Sequence, residues 1–212
     1  MKDKITINCH SSIKIADNKI IYFDPYKIEE TTNDADYIFI THDHYDHYDL
    51  DSIKKIMNNN TKIIFPDSMA PKILGRIPAN QLTGVIPNET YKIDDLDVET
   101  IPSYNPNKDF HPRKNNWVGY IITLNGERIY VAGDTDITPE TQNVKCDIAL
   151  IPIGGTYTMT PLEAAELINT IQPRTVIPTH YACIVGTYED GETFKKQLNS
   201  NIECLLLIKE DK

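Results

Sequence analysis

Short apolar runs separated by turn residues dominate the first half of the chain, and apolar runs alternate with helical patterns in the second half. Runs with the period-two alternation or the compact apolar composition of strands fall at residues 4–8, 13–16, 19–23, 37–40, 61–65, 117–124, 127–132, 146–153, 175–178 and 202–208. Asn125-Gly126 lies between two of these runs and predicts a hairpin, because Asn-Gly is the strongest short-range hairpin signal. Asp17-Asn18 predicts a second hairpin, since both residues tolerate a tight turn.

Three segments carry helical signals. Residues 50–57 place apolar side chains at helical spacing. A second helix is predicted to begin after Thr160, which suits the N-cap and forms a capping box with Glu163, and to end before Pro173. A third helix is predicted at residues 192–198. Many strands with few helices favour two packed sheets covered by outer helices, an α+β arrangement within one domain.

Composition narrows the classes of protein to consider. The formal net charge of −10 argues against broad contact with nucleic acid or acidic lipid. No apolar run approaches the roughly 20 residues of a membrane-spanning helix, and the N-terminus lacks the pattern of a secretory signal. We therefore expect a cytoplasmic protein without a membrane span. Its scattered cysteines are predicted to be buried free thiols rather than a disulfide framework: Cys9, Cys146, Cys183 and Cys204.

Candidate chemistry is concentrated in residues 41–47, Thr-His-Asp-His-Tyr-Asp-His, between a predicted strand and a predicted helix. In an extended segment His42 and His44 point the same way, while Asp46 and His47 can reach a second point as the chain bends. Imidazole and carboxylate are the usual ligands of zinc and also suit iron and manganese. The alternative is a polar loop whose histidines cap the helix, but packing alone gives no reason for such clustering. The motif predicts a metal site.

The motif resembles the His-x-His-x-Asp-His hallmark of the metallo-β-lactamase superfamily, and later family motifs follow in order. They are His111 before the Asn-Gly hairpin, Asp134 in the loop after it, and His180 after a Val-Ile-Pro strand. The chain is most similar to the small stand-alone branch of metal-dependent hydrolases, akin to ascorbate-phosphate lactonases and N-acyl-phosphatidylethanolamine phospholipase D-like proteins. The resemblance implies an αββα sandwich of two mixed sheets, over residues 1–212, with a dinuclear site between the sheet edges.

The resemblance also implies a ligand set for two divalent ions, zinc first, with manganese or iron accepting the same donors. One ion would be held by His42, His44 and His111, the other by Asp46, His47 and His180, with Asp134 between them. Five of the six histidines belong to this set. The sixth, His10, falls where this branch tends to place a histidine near the site. It would bind substrate, stabilise an oxyanion, or simply be buried and hydrogen-bonded.

Several of these residues have structural alternatives when taken singly. Asp134 suits a turn, His111 a loop surface, and His180 a hydrogen-bonded structural role. Asp24 and Asp136 are predicted to be turn residues, with support of a metal ligand as the alternative. The loop at residues 154–159 would be an anion site or a glycine turn before a helix cap, and Tyr157 and Tyr181 are candidate pocket linings.

The function implied by the resemblance is hydrolysis of an ester, lactone, amide or phosphodiester bond in a small molecule by a hydroxide shared between two metals. Asp46 would orient the nucleophile or move a proton, without a covalent enzyme intermediate. A di-iron redox protein of the same fold is an alternative, but tends to carry Glu where His44 stands and an added flavin domain. A nuclease is a second alternative, but nuclease relatives generally have an added domain and a basic surface, and neither is predicted for this acidic chain. A non-catalytic metal-binding or regulatory module is disfavoured by the intact ligand set.

Overall fold

Two β-sheets lie face to face in the computed structural model, which describes residues 1–208. The first sheet consists of β1 (Ile5–Cys9), β2 (Ser12–Ala16), β3 (Ile20–Phe23), β4 (Tyr37–Phe39), β5 (Lys62–Pro66) and β6 (Leu82–Val85), paired in that order. The second consists of β7 (Thr90–Ile93), β8 (Leu96–Pro102), β9 (Val118–Leu124), β10 (Glu127–Val131), β11 (Ile148–Pro152), β12 (Thr175–Thr179) and β13 (Glu203–Cys204), also paired in chain order. Both sheets mix parallel and antiparallel pairs, as predicted.

Helices cover the outer faces of both sheets. They are α1 (Leu50–Ile56), α2 (Ala70–Ile73), α3 (Pro139–Gln142), α4 (Pro161–Ile171) and α5 (Tyr188–Lys196). Three apolar cores result: one between the sheets, one between the second sheet and α4 with α5, and one between the first sheet and α1 with α2. This order of layers is the predicted αββα sandwich.

Period-two alternation lets one strand serve two cores. In β4, Tyr37 and Phe39 pack between the sheets, whereas Ile38 packs against the helices on the other side. Full burial of such side chains stabilises each by about 1.5–3 kcal/mol. The strand that leads into the 41–47 motif is therefore fixed on both faces.

The predicted elements are largely confirmed. The hairpins β2–β3 and β9–β10 form, and α4 begins after Thr160 with the capping box to Glu163. Three strands that the sequence analysis did not assign, β6, β7 and β8, complete the sheet edges.

Two boundaries differ from prediction. The last strand is limited to Glu203–Cys204, and α5 begins at Tyr188 rather than residue 192. Asp190 accepts a hydrogen bond from the Thr187 amide at 2.7 Å and caps the earlier start. Gly191, a residue that disfavours helix, lies inside α5 because a Cβ there would be 2.9 Å from the Tyr181 hydroxyl.

The topology places several chain segments at one edge of the sandwich. Strands β10, β11 and β12 are parallel, so the loops that follow them leave from the same edge of the second sheet. The Tyr120 hydroxyl on β9 donates to the Ile40 carbonyl at 2.7 Å, which fastens the two sheets together beside the 41–47 motif. Among residues 1–208, no helix has the length and apolar character needed to cross a bilayer.

Candidate metal centre

The loop between β4 and α1 folds back on itself and turns its histidines inward. The amides of His47 and Tyr48 both donate to the His44 carbonyl, at 3.0 and 2.8 Å. Tyr45 is left 66% exposed, while His42 and His47 are buried. His42 and His44 meet with Nε2 3.0 Å from Nδ1, as their alternate positions predict.

Three later segments bring His111, Asp134 and His180 to the same place. The loop after β10 can approach because it contains Gly133 at a φ of +64°. A Cβ on Gly133 would lie 2.9 Å from the Cβ of Thr41, so only glycine fits between the aspartate loop and the motif. The identity of residue 133 therefore decides how near Asp134 comes to the histidines.

Asp134 lies at the centre of the cluster. Its Oδ2 is 3.2 Å from Nε2 of His111 and 2.9 Å from Nε2 of His180. Its Oδ1 is 3.3 Å from Nε2 of His47. The carboxylate thus contacts histidines from both of the groups that the sequence analysis separated. The structure brings together all seven side chains named there: His42, His44, Asp46, His47, His111, Asp134 and His180.

The donor atoms divide into groups whose members lie within 4.8 Å of one another. We define the first half-site as His42, His44 and His111, and the second half-site as Asp46, His47 and His180, with His10 in the same group. A third group of His42, His47 and Asp134 connects the two half-sites. The division follows the two ligand sets that the family resemblance implies.

Polar side chains hold the ring nitrogens that face away from the cluster. Nδ1 of His47 lies 2.7 Å from Oδ2 of Asp24, and Nδ1 of His111 lies 2.7 Å from Oδ1 of Asn105. Such partners fix the orientation of an imidazole and leave its Nε2 for a metal. Asp24 does follow β3 in a turn conformation, with a φ of 44°, but it also supports His47. Asn105 was not among the predicted site residues, because a lone asparagine in a loop carries no distinguishing sequence pattern.

Burial and charge set the protonation of the cluster. Burial lowers the pKa of His10 to about 4 and the pKa of His42 well below 6.5, so both rings are neutral at pH 7. Burial acts to raise the pKa of Asp134, but the facing imidazoles outweigh it and hold that pKa well below its usual range. His47 is the exception: burial opposes its charge, yet Asp134 and Asp24 raise its pKa well above 6.5. A metal at His47 must therefore displace a proton.

Unpartnered buried atoms point to what the cluster holds. Within residues 1–208, the buried atoms without a hydrogen-bond partner include both ring nitrogens of His10, Nε2 of His47, Nε2 of His111 and Oδ1 of Asp134. Buried polar atoms are normally paired, and each exception requires an explanation such as an ion. Divalent cations would pair with nitrogen and carboxylate donors of this kind. The residues therefore fit the metal that the fold family implies.

Aromatic residues surround the first half-site. The ring centroid of Trp117 lies 4.9 Å from those of two of its histidines. Phe110, which precedes His111, is 46% exposed, and its ring contacts that of Tyr157 at 4.7 Å. Tyr157 thus contacts the residue before His111, and its role as a pocket lining stays a prediction. Tyr181 does not line a pocket, because it is 1% exposed and packs in the core beneath α5.

The glycine loop at residues 154–159 is a turn before a helix cap. The amides of Gly155 and Thr156 donate to the carbonyls of Met159 and Gly154, both at 3.0 Å. These donors are used inside the loop, which disfavours the anion-site alternative. Asp136 is engaged in an ion pair with Lys108 at 2.7 Å.

The cysteine prediction is wrong for one pair. Cys9 and Cys183 form a disulfide across 174 residues of sequence, and Cys183 is exposed. Their pairing depends on the meeting of β1 with the loop after β12, which spacing along the chain does not reveal. In the described part of the chain, Cys146 and Cys204 keep free, half-buried thiols.

Comparisons with known proteins identify related sequences and folds. The sequence model of a family described as beta-lactamase superfamily domain matches residues 4–181. A UPF0173 metal-dependent hydrolase from Thermococcus onnurineus is 31% identical, over 96% of each chain. A solved structure from Parabacteroides distasonis is 30% identical, covers 95% of this chain and 90% of its own, and has a TM-score of 0.78. Igni18, a metallo hydrolase from Ignicoccus hospitalis, is 25% identical and has a TM-score of 0.76. The match covers 95% of this chain and 93% of Igni18.

Proposed function

The chain belongs to the metallo-β-lactamase superfamily and is a metal-dependent hydrolase, and we propose that it works with two divalent ions, one in each half-site, bridged by Asp134. Its substrate is a small molecule, and the bond cleaved is an ester, lactone, amide or phosphodiester. Zinc is the first choice for both ions, since imidazole and carboxylate suit it, and manganese and iron accept the same donors. A cytoplasmic location stays a prediction from the sequence.

The position of Asp134 carries the proposal. Its two oxygens face different histidines, Oδ1 towards His47 and Oδ2 towards His111 and His180. A carboxylate has lone pairs enough to serve two cations at once. Its lowered pKa keeps it ionised, as a ligand must be.

The ions and Asp46 would then have distinct tasks in hydrolysis. Two ions in such a site lower the pKa of water and stabilise the negative charge that develops during hydrolysis. Asp46 would orient the attacking water by accepting a hydrogen bond from it, because the carboxylate is ionised: burial acts to raise its pKa, but the contacts with His10 and His47 outweigh burial and lower the pKa to about 2. This scheme uses no side chain as a nucleophile, so no covalent enzyme intermediate forms.

The surroundings support a small organic substrate. Two aromatic pairs lie beside the cluster, Phe110 with Tyr157 and Tyr45 with Tyr26, with ring centroids 4.7 and 6.1 Å apart. Phe110 and Tyr45 are the exposed members of these pairs. Exposed rings of this kind provide apolar contact area at a binding site.

The test is a substrate panel applied to protein reconstituted with zinc, manganese or iron. Asp134→Ala should lower kcat/KM by more than about 100-fold, since even the partners of metal ligands change activity by about 10–100-fold. Asp136→Ala is the matched control, because it removes a carboxylate two residues away that pairs with Lys108. If Asp134→Ala turns over substrate as fast as the control, the bridging assignment is wrong.

A further inference from the structure

We infer that His10 is a direct metal ligand in the second half-site, which then has four protein ligands of its own besides the bridging Asp134. This inference rests on the proposed function and assigns a role that the family ligand set leaves out. It replaces substrate contact, oxyanion stabilisation and simple structural hydrogen bonding, the three roles that the sequence alone allows for this residue.

Distances around Asp46 carry the inference. Its Oδ2 lies 3.2 Å from Nε2 of His10, 3.6 Å from Nε2 of His47 and 3.8 Å from Nε2 of His180. Tetrahedral coordination with bonds of about 2.0–2.1 Å separates donor atoms by about 3.4 Å. The distance from His10 to Asp46 is therefore at least as close to the separation of two ligands on one metal as the distances from His47 and His180 to Asp46.

Burial favours a ligand role for His10 over substrate contact. The side chain is 0% exposed, and its ring lies 3.8 Å from the ring of His180. Within residues 1–208, neither ring nitrogen has a hydrogen-bond partner, although Nε2 lies 3.2 Å from Oδ2 of Asp46. A buried structural histidine would have such a partner. A cation between His10 and Asp46 would satisfy both groups.

The backbone holds His10 in this place at a conformational cost. His10 has a φ of 57° and His180 a φ of 58°, in the left-handed region that residues other than glycine rarely adopt. The His180 amide donates to the His10 carbonyl at 3.1 Å. The pairing of β1 with β2 is shifted between Ile7 and Cys9, just before the turn. Backbone strain of this kind persists where the surrounding structure fixes it, often at functional sites.

The two half-sites then differ in kind. With four ligands plus Asp134, the second half-site has more protein ligands than the first, and a fuller set of protein ligands leaves less room for substrate at the ion. The first half-site has three histidines plus Asp134. Of these, His44 is half-buried, and exposed Phe110 directly precedes His111. A substrate would reach the ion in the first half-site, and the ion in the second would bind more tightly.

Titration of metal-free protein, prepared with a chelator, with zinc tests the inference. Calorimetry measures the affinity of each step, and metal analysis after dialysis measures the number of ions bound. Wild-type protein should take up two equivalents in two steps. His10→Ala should lower the zinc affinity of the tighter step at least about tenfold and leave the affinity of the other step unchanged. Tenfold is the lower end of the loss expected when a partner of a metal ligand is removed. His44→Ala is the matched comparator and should weaken only the looser step. Cobalt(II) bound at the tighter site should change its visible spectrum in His10→Ala, because that spectrum responds to the ligand set.

Other outcomes decide against the inference. If His10→Ala binds both zinc ions with wild-type affinity, His10 is not a ligand, even if turnover falls. If both steps weaken equally, the division of ligands is wrong. His10→Gln serves if the alanine variant melts early in the metal-free state. Wild-type protein that binds a single ion refutes the two-metal proposal, and the effect of His10→Ala on that ion still decides the role of His10.

Discussion

The two half-sites are built by the chain in different ways. The first takes two of its three histidines from one extended segment, so they point together through local geometry. The second collects side chains from the β1–β2 turn, the 41–47 loop and the end of β12, and depends on tertiary structure. Local construction leaves His44 half-buried, and tertiary construction buries every member of the second half-site. The difference predicts one ion that is open to substrate and one that is more fully enclosed by protein ligands.

Stepwise removal of metal is the strongest test of this difference. We expect a chelator to remove the ion of the first half-site first, because that half-site has fewer ligands and an exposed side. Turnover should be abolished while one equivalent of metal remains, since the open ion is the one that substrate reaches. Activity and metal content measured on the same samples would show this order. Simultaneous loss of both ions, or turnover by the one-metal form, would contradict it.

Asp24→Ala should produce the next largest effect. The effect should be larger at the second half-site, where Asp24 contacts His47 directly, than at the first, which it reaches only through the Thr41 hydroxyl, 3.0 Å from Nδ1 of His42. Asp24 is 1% exposed and accepts hydrogen bonds from the Thr41 amide at 2.7 Å and the Thr41 hydroxyl at 2.6 Å, besides holding His47. Loss of this partner should weaken the tighter zinc step by about 10–100-fold. It should also lower the free energy of unfolding by about 1–3 kcal/mol, because the buried Thr41 amide loses its acceptor. Calorimetry and thermal melting measure the two effects.

The comparator for Asp24→Ala is Asn105→Ala, which removes the partner of His111 in the first half-site. It should weaken only the looser step. Asn107→Ala changes an exposed asparagine in the same loop and should alter neither step. If Asp24→Ala and Asn105→Ala have their larger effect on the same step, the half-sites are not independent.

The same difference explains what the sequence could predict. His42 to His47 are adjacent in sequence, so their chemistry is visible without a fold. His111, Asp134 and His180 became candidates only through their order along a known family pattern, since each alone suits a loop or a turn. Asn105 and the Cys9–Cys183 link remained hidden because their partners are defined by tertiary contacts. The unassigned strand β8 did carry a signal: residues 96–99 alternate between apolar and polar, and burial alternates in the same way along the whole strand.

The smallest effect is expected from Cys183→Ser, which removes the covalent link between the two backbone segments that carry His10 and His180. The link lies one residue before His10 and three residues after His180. The His180 amide still bonds to the His10 carbonyl without it, so the tighter zinc step should weaken by less than about tenfold, below the effect of losing a ligand's partner. Thermal melting should show a loss of about 2–4 kcal/mol, the usual contribution of a disulfide. Cys204→Ser, which alters a free thiol, is the control. If Cys183→Ser melts and binds zinc like that control, the second half-site keeps its shape without the link, and noncovalent contacts alone hold His10 in place.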